Sequence, residues 1–147
     1  MVTAAFRLIK MSLPHMREAG WGRIINVSSI HGHRASPYKA GYVAAKHALE
    51  GLTKVTALEA GGSGVTANSI SPAYVRTPLV LDQVSAQANT RGLSEAEVHD
   101  SVFLAKTAVK RLIEPQEVTG VCLFLCSPQA DFINGTSMHI DGGWTAQ

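Results

Sequence analysis

Short apolar runs alternate with amphipathic stretches along the first half of this 147-residue chain. Residues 2–16 place their apolar side chains near one helical face, and two glycines then end the predicted helix. The run "RIINVSS" (23–29) is β-branched and almost continuously apolar, which is typical of a strand covered on both faces. Residues 38–60 predict a long helix, which "GGSG" ends.

The second half continues this alternation after one irregular segment. "VTANSIS" (65–71) predicts a second buried strand, which Pro72 closes. Residues 77–107 are polar and show no regular period, which favours a small mobile lobe whose second part is capped by Ser94 with Glu97 three residues later. Glu114-Pro115 predicts the start of another helix, and "SMHIDGG" predicts a last strand.

This order of elements predicts the fold class. Helices that alternate with short apolar strands favour an α/β fold with a parallel sheet between helices. Three strands make a thin sheet, so we expect a single partial domain, the C-terminal half of a doubly wound (Rossmann-type) domain. A nucleotide-binding domain also carries a glycine-rich turn between a strand and a helix. The one glycine cluster here, at 61–64, instead follows a predicted helix.

Composition narrows the functional classes. The chain is 46% hydrophobic and 16% charged, which is typical of soluble globular proteins, and its net charge of +2 is spread along the chain, so we expect no nucleic-acid partner. No apolar run approaches the roughly 18 residues of a membrane span. Cys122 and Cys126 fit small core residues in a reducing compartment, so we expect a cytoplasmic protein. The histidines show no metal-ligand spacing, and we expect no metal.

The candidate chemistry lies between residues 29 and 46. Tyr42 and Lys46 are four residues apart in a predicted helix, so their side chains share a face. A phenol has a pKa of about 10, and a neighbouring ammonium lowers it, which favours an acid–base tyrosine. Ser29 follows a predicted strand, at the sheet edge where ligands bind in open α/β folds. The alternative is a half-buried tyrosine beside a lysine that extends to solvent, since this spacing is common in helices.

Four stretches together resemble the short-chain dehydrogenase/reductase family: "GRIINVSSIHG", "YVAAKHALEGLTK", "GVTANSISPAYVRTP" and "NGTSMHIDGG". The resemblance covers nearly the whole chain. It implies that Ser29 orients the substrate, that Tyr42 donates and accepts the proton, and that Lys46 lowers the tyrosine pKa and binds the nicotinamide ribose. It also implies that the residues in contact with the cofactor, NAD, are Tyr42, Lys46, Pro72, Ala73, Val75 and Thr77.

Within the family, the sequence is most similar to bacterial enzymes that interconvert 3-hydroxybutyrate and acetoacetate. This similarity implies that His31, Lys39 and Gln83 bind the substrate carboxylate, and that Tyr74 stands where those enzymes tend to carry a tryptophan. It also implies a homo-oligomer, a dimer or tetramer, in the full-length form. The residues alone leave Lys39 as a solvated first-turn residue and His31 as a loop hydrogen-bonder. A 3-oxoacyl reductase of the same family, or an inactive fragment or partner subunit, are the alternatives.

Compared with the family, the glycine-rich phosphate loop and the first strands would lie before Met1. We therefore expect this chain to be the C-terminal portion, either truncated or started late, and to bind NAD(H) poorly when isolated. We also expect the strand at 23–29 to present an open apolar edge, because its neighbour in the family's sheet would be missing.

Overall fold

A computed structural model describes residues 1–146 and shows helices on both faces of a three-stranded sheet. The helices are α1 (Val2–Glu18), α2 (Ala40–Ala60), α3 (Pro78–Arg91), α4 (Glu95–Val98) and α5 (Pro115–Cys126). The strands are β1 (Gly22–Val27), β2 (Val65–Pro72) and β3 (Ser137–Ile140). Four short helical turns lie at Ile30–Gly32, His99–Phe103, Pro128–Ala130 and Trp144–Ala146.

The sheet is parallel, in the order β1-β2-β3, which confirms the predicted fold class. Every residue of β2 is buried, as expected of a central strand in such a sheet. Strand β1 is less buried than the sequence predicts, because it is the edge strand of the described sheet, and Val27 at its end is 58% exposed. The open apolar edge expected from the sequence is therefore present in residues 1–146.

Two apolar clusters hold the helices to opposite faces of β2. On one face, Ile9 and Leu13 of α1 join Ala57 of α2 against Val65 and Ala67. On the other face, Ile70 packs with Leu125 and Ala130, which belong to α5 and the turn after it. Side chains alternate across a strand, so Ala67 and Ile70 point to opposite sides, and the sheet is covered by α1 and α2 on one side and α5 on the other.

Helix α2 begins two residues later than the sequence predicts. Tyr38 has φ +64°, a left-handed conformation that a helix interior does not accept, so Lys39 becomes the residue before the first turn. The helix ends where predicted, at Gly61. In the turn that follows, a Cβ at Gly64 would lie 2.0 Å from the carbonyl oxygen of Gly20, and φ there is +75°, so this position requires glycine.

The segment that showed no regular period contains helix α3. Pro78 is its first residue and Gly92 ends it in the left-handed conformation. Only Val84 and Ala88 are buried in this helix, so its apolar face is too narrow to give a clear period. The predicted capping box of Ser94 and Glu97 is present at the start of α4.

The prediction that both cysteines lie in the core is wrong for Cys126, which is exposed, whereas Cys122 is half-buried against the Ile70 cluster. The two lie one turn apart on α5, but Leu125 fills the buried face of that helix instead. No helix within residues 1–146 combines the length and apolar character needed to cross a lipid bilayer.

Candidate active site

The candidate site lies beyond the carboxyl ends of β1 and β2. Ser29 follows β1 in an extended conformation and caps the helical turn Ile30–Gly32, where its Oγ accepts a hydrogen bond from the backbone N–H of His31 at 3.2 Å. The serine is buried, and its hydroxyl hydrogen remains available to a ligand. This placement follows from the sheet topology, because the carboxyl ends of parallel strands meet at one edge.

One cavity of about 320 Å³ brings most of the predicted site residues together. Its volume falls within the range of small-molecule sites. It brings together Ser29, predicted to orient the substrate, Tyr42, predicted to transfer the proton, and the three residues predicted to bind a carboxylate. The residues that line it are Ser29, Ile30, His31, Lys39, Tyr42, Ala73, Tyr74, Leu79, Val80 and Gln83.

His31 lies at the centre of the cavity wall and is only 4% exposed. Its ring meets the rings of Tyr42 and Trp144 edge-on, with centroids 5.9 and 6.0 Å apart. Lys39 Nζ lies 3.3 Å from Nε2 of His31, so the ammonium donates and the imidazole accepts. Burial lowers the pKa of His31 and the Lys39 charge lowers it further, while the backbone of Arg34 partly opposes both effects. These effects favour a neutral imidazole.

Tyr42 and Lys46 occupy successive turns of α2. Tyr42 is 38% exposed and lines the cavity, while the Lys46 Nζ atom lies 5.6 Å from the centre of its ring. The same Nζ donates a hydrogen bond of 2.9 Å to the carbonyl oxygen of Val27 at the end of β1. Burial lowers the pKa of Lys46, and the nearby Glu50 carboxylate opposes that shift. Lys46 itself does not line the cavity but lies against β1.

The loop after β2 contributes Ala73 and Tyr74 to the cavity wall. Ile113 holds the backbone of this loop, because its N–H donates to the carbonyl oxygen of Tyr74 at 2.9 Å and it forms a parallel β-bridge with Val75. The ring of Tyr74 packs against Phe103 with centroids 4.7 Å apart. Burial raises the pKa of Tyr74, so its phenol stays protonated at neutral pH.

Four of the predicted cofactor contacts lie outside the cavity wall, namely Lys46 and three residues that end or follow β2. Pro72 ends β2, Val75 bridges Ile113, and Thr77 precedes α3 without capping it through its side chain. Two aromatic residues that the sequence-based predictions did not include, Trp144 and Phe103, contact His31 and Tyr74 from distant parts of the chain. The aromatic residue after the two glycines that follow β3 was the available signal for Trp144.

Comparison with known proteins shows the family of the chain. A family model described as enoyl-(acyl carrier protein) reductase matches residues 1–145. The chain belongs to the short-chain dehydrogenase/reductase family. It is 49% identical to a D-beta-hydroxybutyrate dehydrogenase of Rhizobium meliloti and 44% identical to one of Cupriavidus necator. Each alignment covers 99% of this chain and 57% of the relative, so the chain spans little more than half the length of these family members.

Solved structures of this family show the same fold. An actinorhodin polyketide ketoreductase with NADPH superimposes with a TM-score of 0.90 at 30% identity, and a 4-hydroxyisoleucine dehydrogenase complexed with NADH superimposes with a TM-score of 0.79 at 33% identity. Each match covers 99% of this chain and 56% of the other. The three-stranded sheet of residues 1–146 is therefore a partial Rossmann-type sheet, as the sequence predicts.

Proposed function

We propose that this chain carries the substrate-binding and proton-transfer part of an NAD-dependent oxidoreductase that interconverts 3-hydroxybutyrate and acetoacetate. The observation that carries the proposal is the cavity in which Ser29 and Tyr42 face Lys39, His31 and Gln83. A hydroxyl pair beside one cation fits a small acid whose carboxylate lies near the reacting carbon. The names of the two bacterial relatives support the same substrate.

In this proposal Tyr42 moves the proton. When the alcohol is oxidised, its C3 hydroxyl gives a proton to the Tyr42 phenolate, and in the reverse direction the phenol returns it to the ketone oxygen. The Ser29 hydroxyl donates a hydrogen bond to that same oxygen. The Lys46 ammonium lies close to the tyrosine ring, 5.6 Å from its centre.

A nicotinamide cofactor would take up or supply the hydride at C3. The residues present fit its nicotinamide end. The Thr77 side chain makes no hydrogen bond to the first turn of α3, so its hydroxyl is available to a ligand at the end of β2. In the proposal, Tyr42 and Lys46 bind the ribose, and the loop containing Pro72, Ala73, Val75 and Thr77 contacts the ring.

Lys39 provides the charge for the substrate carboxylate. It is the one cationic side chain among the residues that line the cavity in the described part of the chain. An ammonium has three donors, and the hydrogen bond to His31 uses one, so two remain for carboxylate oxygens. Gln83, on the exposed face of α3, can donate its amide to the same group from the other side of the cavity.

The first experiment tests carboxylate binding without requiring turnover. Acetoacetate added to the chain is expected to shift the Cε1 proton resonance of His31, because the anion binds the Lys39 ammonium that lies 3.3 Å from the histidine ring nitrogen. Its methyl ester, which has no charge, is the matched control and is expected to shift this resonance little. Lys39→Met should abolish the response to acetoacetate, whereas Lys54→Met, a lysine on α2 outside the cavity wall, should retain it. Equal responses to acid and ester would contradict the carboxylate site.

The second experiment tests the reaction. In the full-length form, NAD⁺ reduction that depends on 3-hydroxybutyrate is expected, and it should fall by about 100-fold or more in Tyr42→Phe if the phenol transfers the proton. A preference for 3-oxoacyl thioesters, unaffected by Lys39→Met, would instead identify a 3-oxoacyl reductase. In that same form, binding of acetoacetate with no reduction of either NAD⁺ or NADP⁺ by 3-hydroxybutyrate would show a binding subunit rather than an enzyme.

A further inference from the structure

Glu50 is a buried carboxylate that the proposed reaction does not use. It lies on α2 one turn beyond Lys46 and is 5% exposed. Its two carboxylate oxygens accept hydrogen bonds from Ser69 Oγ at 2.7 Å and from Ser71 Oγ at 3.2 Å, both on β2. Burying a carboxylate is unfavourable unless it is hydrogen-bonded and paired with a positive charge. The two serines supply the hydrogen bonds, but they carry no positive charge to pair with the carboxylate.

His33 does not provide that charge at neutral pH. Its Nε2 atom lies 3.4 Å from Oε1 of Glu50 and 3.1 Å from the hydroxyls of both Ser71 and Ser137. Burial lowers the pKa of His33 more than the Glu50 carboxylate raises it. The other groups that act on His33 are all basic, and they favour its neutral form further; they are His139 on β3, and His47 and Lys54 on α2. A neutral His33 leaves the Glu50 charge uncancelled.

The nearby cation on the same helix is Lys46. Side chains four residues apart on a helix have Cβ atoms about 5–6 Å apart, so Tyr42, Lys46 and Glu50 form a row along α2. The Lys46 ammonium is half-buried and makes its hydrogen bond to a neutral carbonyl, that of Val27. Burial lowers the pKa of Lys46, and Glu50 is the group that raises it. The carboxylate thus favours the charged form of the lysine that lies beside the tyrosine ring.

Glu50 also contacts the segment that carries Ser29 and His31. A Cβ at Gly32 would lie 3.0 Å from Cγ of Glu50 and 2.8 Å from Oγ of Ser28, so the glycine lets this turn pack directly on the glutamate side chain. The same side chain therefore contacts β2, the turn after β1 and the helix that carries Tyr42. These are the three elements whose relative positions define the site.

We propose that Glu50 is a positioning residue for the active site, which balances the charge of Lys46 from one turn away on α2 and holds that helix against β2 and the turn that carries Ser29. The importance of Lys46 rests on the proposed function, but the electrostatic coupling between Glu50 and Lys46 does not.

The test is an NMR titration of the Lys46 side chain through its Cε resonance. In Glu50→Gln, which keeps the shape and removes the charge, the Lys46 midpoint is expected to move to lower pH than in the unaltered chain. Glu50→Asp retains the charge and is expected to restore most of the original midpoint. Glu59→Gln removes an exposed carboxylate farther along the same helix and is the matched control, with no expected change. A Lys46 midpoint that is the same in Glu50→Gln and Glu59→Gln would overturn the proposal.

A second measurement needs no substitution, and so does not depend on whether Glu50→Gln folds. In the unaltered chain, the Lys46 Cε resonance should show a second, smaller response as the pH falls, besides its own titration, and this response should coincide with that of the Glu50 carboxyl carbon. A Lys46 resonance that does not respond where the Glu50 carboxyl carbon responds would contradict the coupling. If the coupling is found but 3-hydroxybutyrate is not oxidised, only the proposed function fails, so the two failures are distinguishable.

Discussion

Replacing Leu125 by alanine tests whether the cluster beneath α5 holds the sheet together. Leu125 is 1% exposed and packs with Ile70 of the central strand and with Ala130. The substitution removes three carbon atoms from a closely packed site and leaves a cavity, which in comparable cores costs about 2–5 kcal/mol. Domains of this size have free energies of unfolding of about 5–15 kcal/mol, so a large fraction of the stability should be lost.

Leu123 provides a matched control, because it undergoes the same change on the same helix but is 66% exposed. Leu123→Ala is expected to change the free energy of unfolding by about 0.5 kcal/mol or less. Both variants gain the same small increase in helix propensity, which cancels in the comparison. Urea unfolding followed by far-UV circular dichroism, at concentrations where the midpoint is independent of protein concentration, should place the free energies of unfolding of the two variants at least about 1.5 kcal/mol apart. Equal midpoints would refute this account of the core.

Two further predictions follow from the charged groups. Lys39→Met is expected to raise the pKa of His31, but not to its ordinary value, because burial is the larger cause of the shift. A proton NMR titration measures this change. The control, Lys54→Met, should raise the pKa of His33 and leave that of His31 unchanged. Glu117 accepts two hydrogen bonds from Arg111, and these lower its pKa from 4.5 to about 2. The charged form of Glu117 therefore stabilises the fold above pH 4.5, and this contribution is lost as the pH falls towards 2. Glu117→Gln should therefore be less stable than the unaltered chain near neutral pH, with the difference in urea midpoint shrinking across that window; a constant difference would contradict the assignment.

The elements that the sequence predicts correctly are those whose local pattern agrees with their burial. Strand β2 is apolar or small throughout and is buried throughout, and α5 begins at the proline that marks its first turn. Helix α3 escaped prediction because tertiary packing buries only Val84 and Ala88 on it. Cys126 was misplaced for a related reason, since Leu125 occupies the buried face that the cysteine spacing also fits. The spacing of residues in the sequence defines which faces of a helix could be buried, and packing against the rest of the fold determines which face is buried.

The site shows the same division between local and distant information. The relation of Tyr42 to Lys46 is a property of one helix, and it can be read from their spacing. The contact of Trp144 with His31 joins residues at opposite ends of the chain, and no local period predicts it. The hydrogen bonds from Ser69 and Ser71 to Glu50 depend on the register of β2 against α2. Sequence patterns therefore indicate the proposed reacting groups, but only the folded chain shows the residues that contact them.

Two positive charges near the cavity are compensated by different negative charges in the proposed reaction. Lys39 faces the cavity beside a neutral His31, so a single positive charge meets the single negative charge of a 3-hydroxy acid. Lys46 lies outside the cavity wall with Glu50 one turn away, so its charge is compensated from within the protein and not by the substrate. The two lysines have different partners, so their charges should respond independently. Losing the Lys39 charge should weaken substrate binding without altering the titration midpoint of Lys46. Losing the Glu50 charge should shift the Lys46 midpoint without changing the charge at the carboxylate site. That independence distinguishes two separately tuned cations from one diffuse positive patch, in which either substitution would affect both properties.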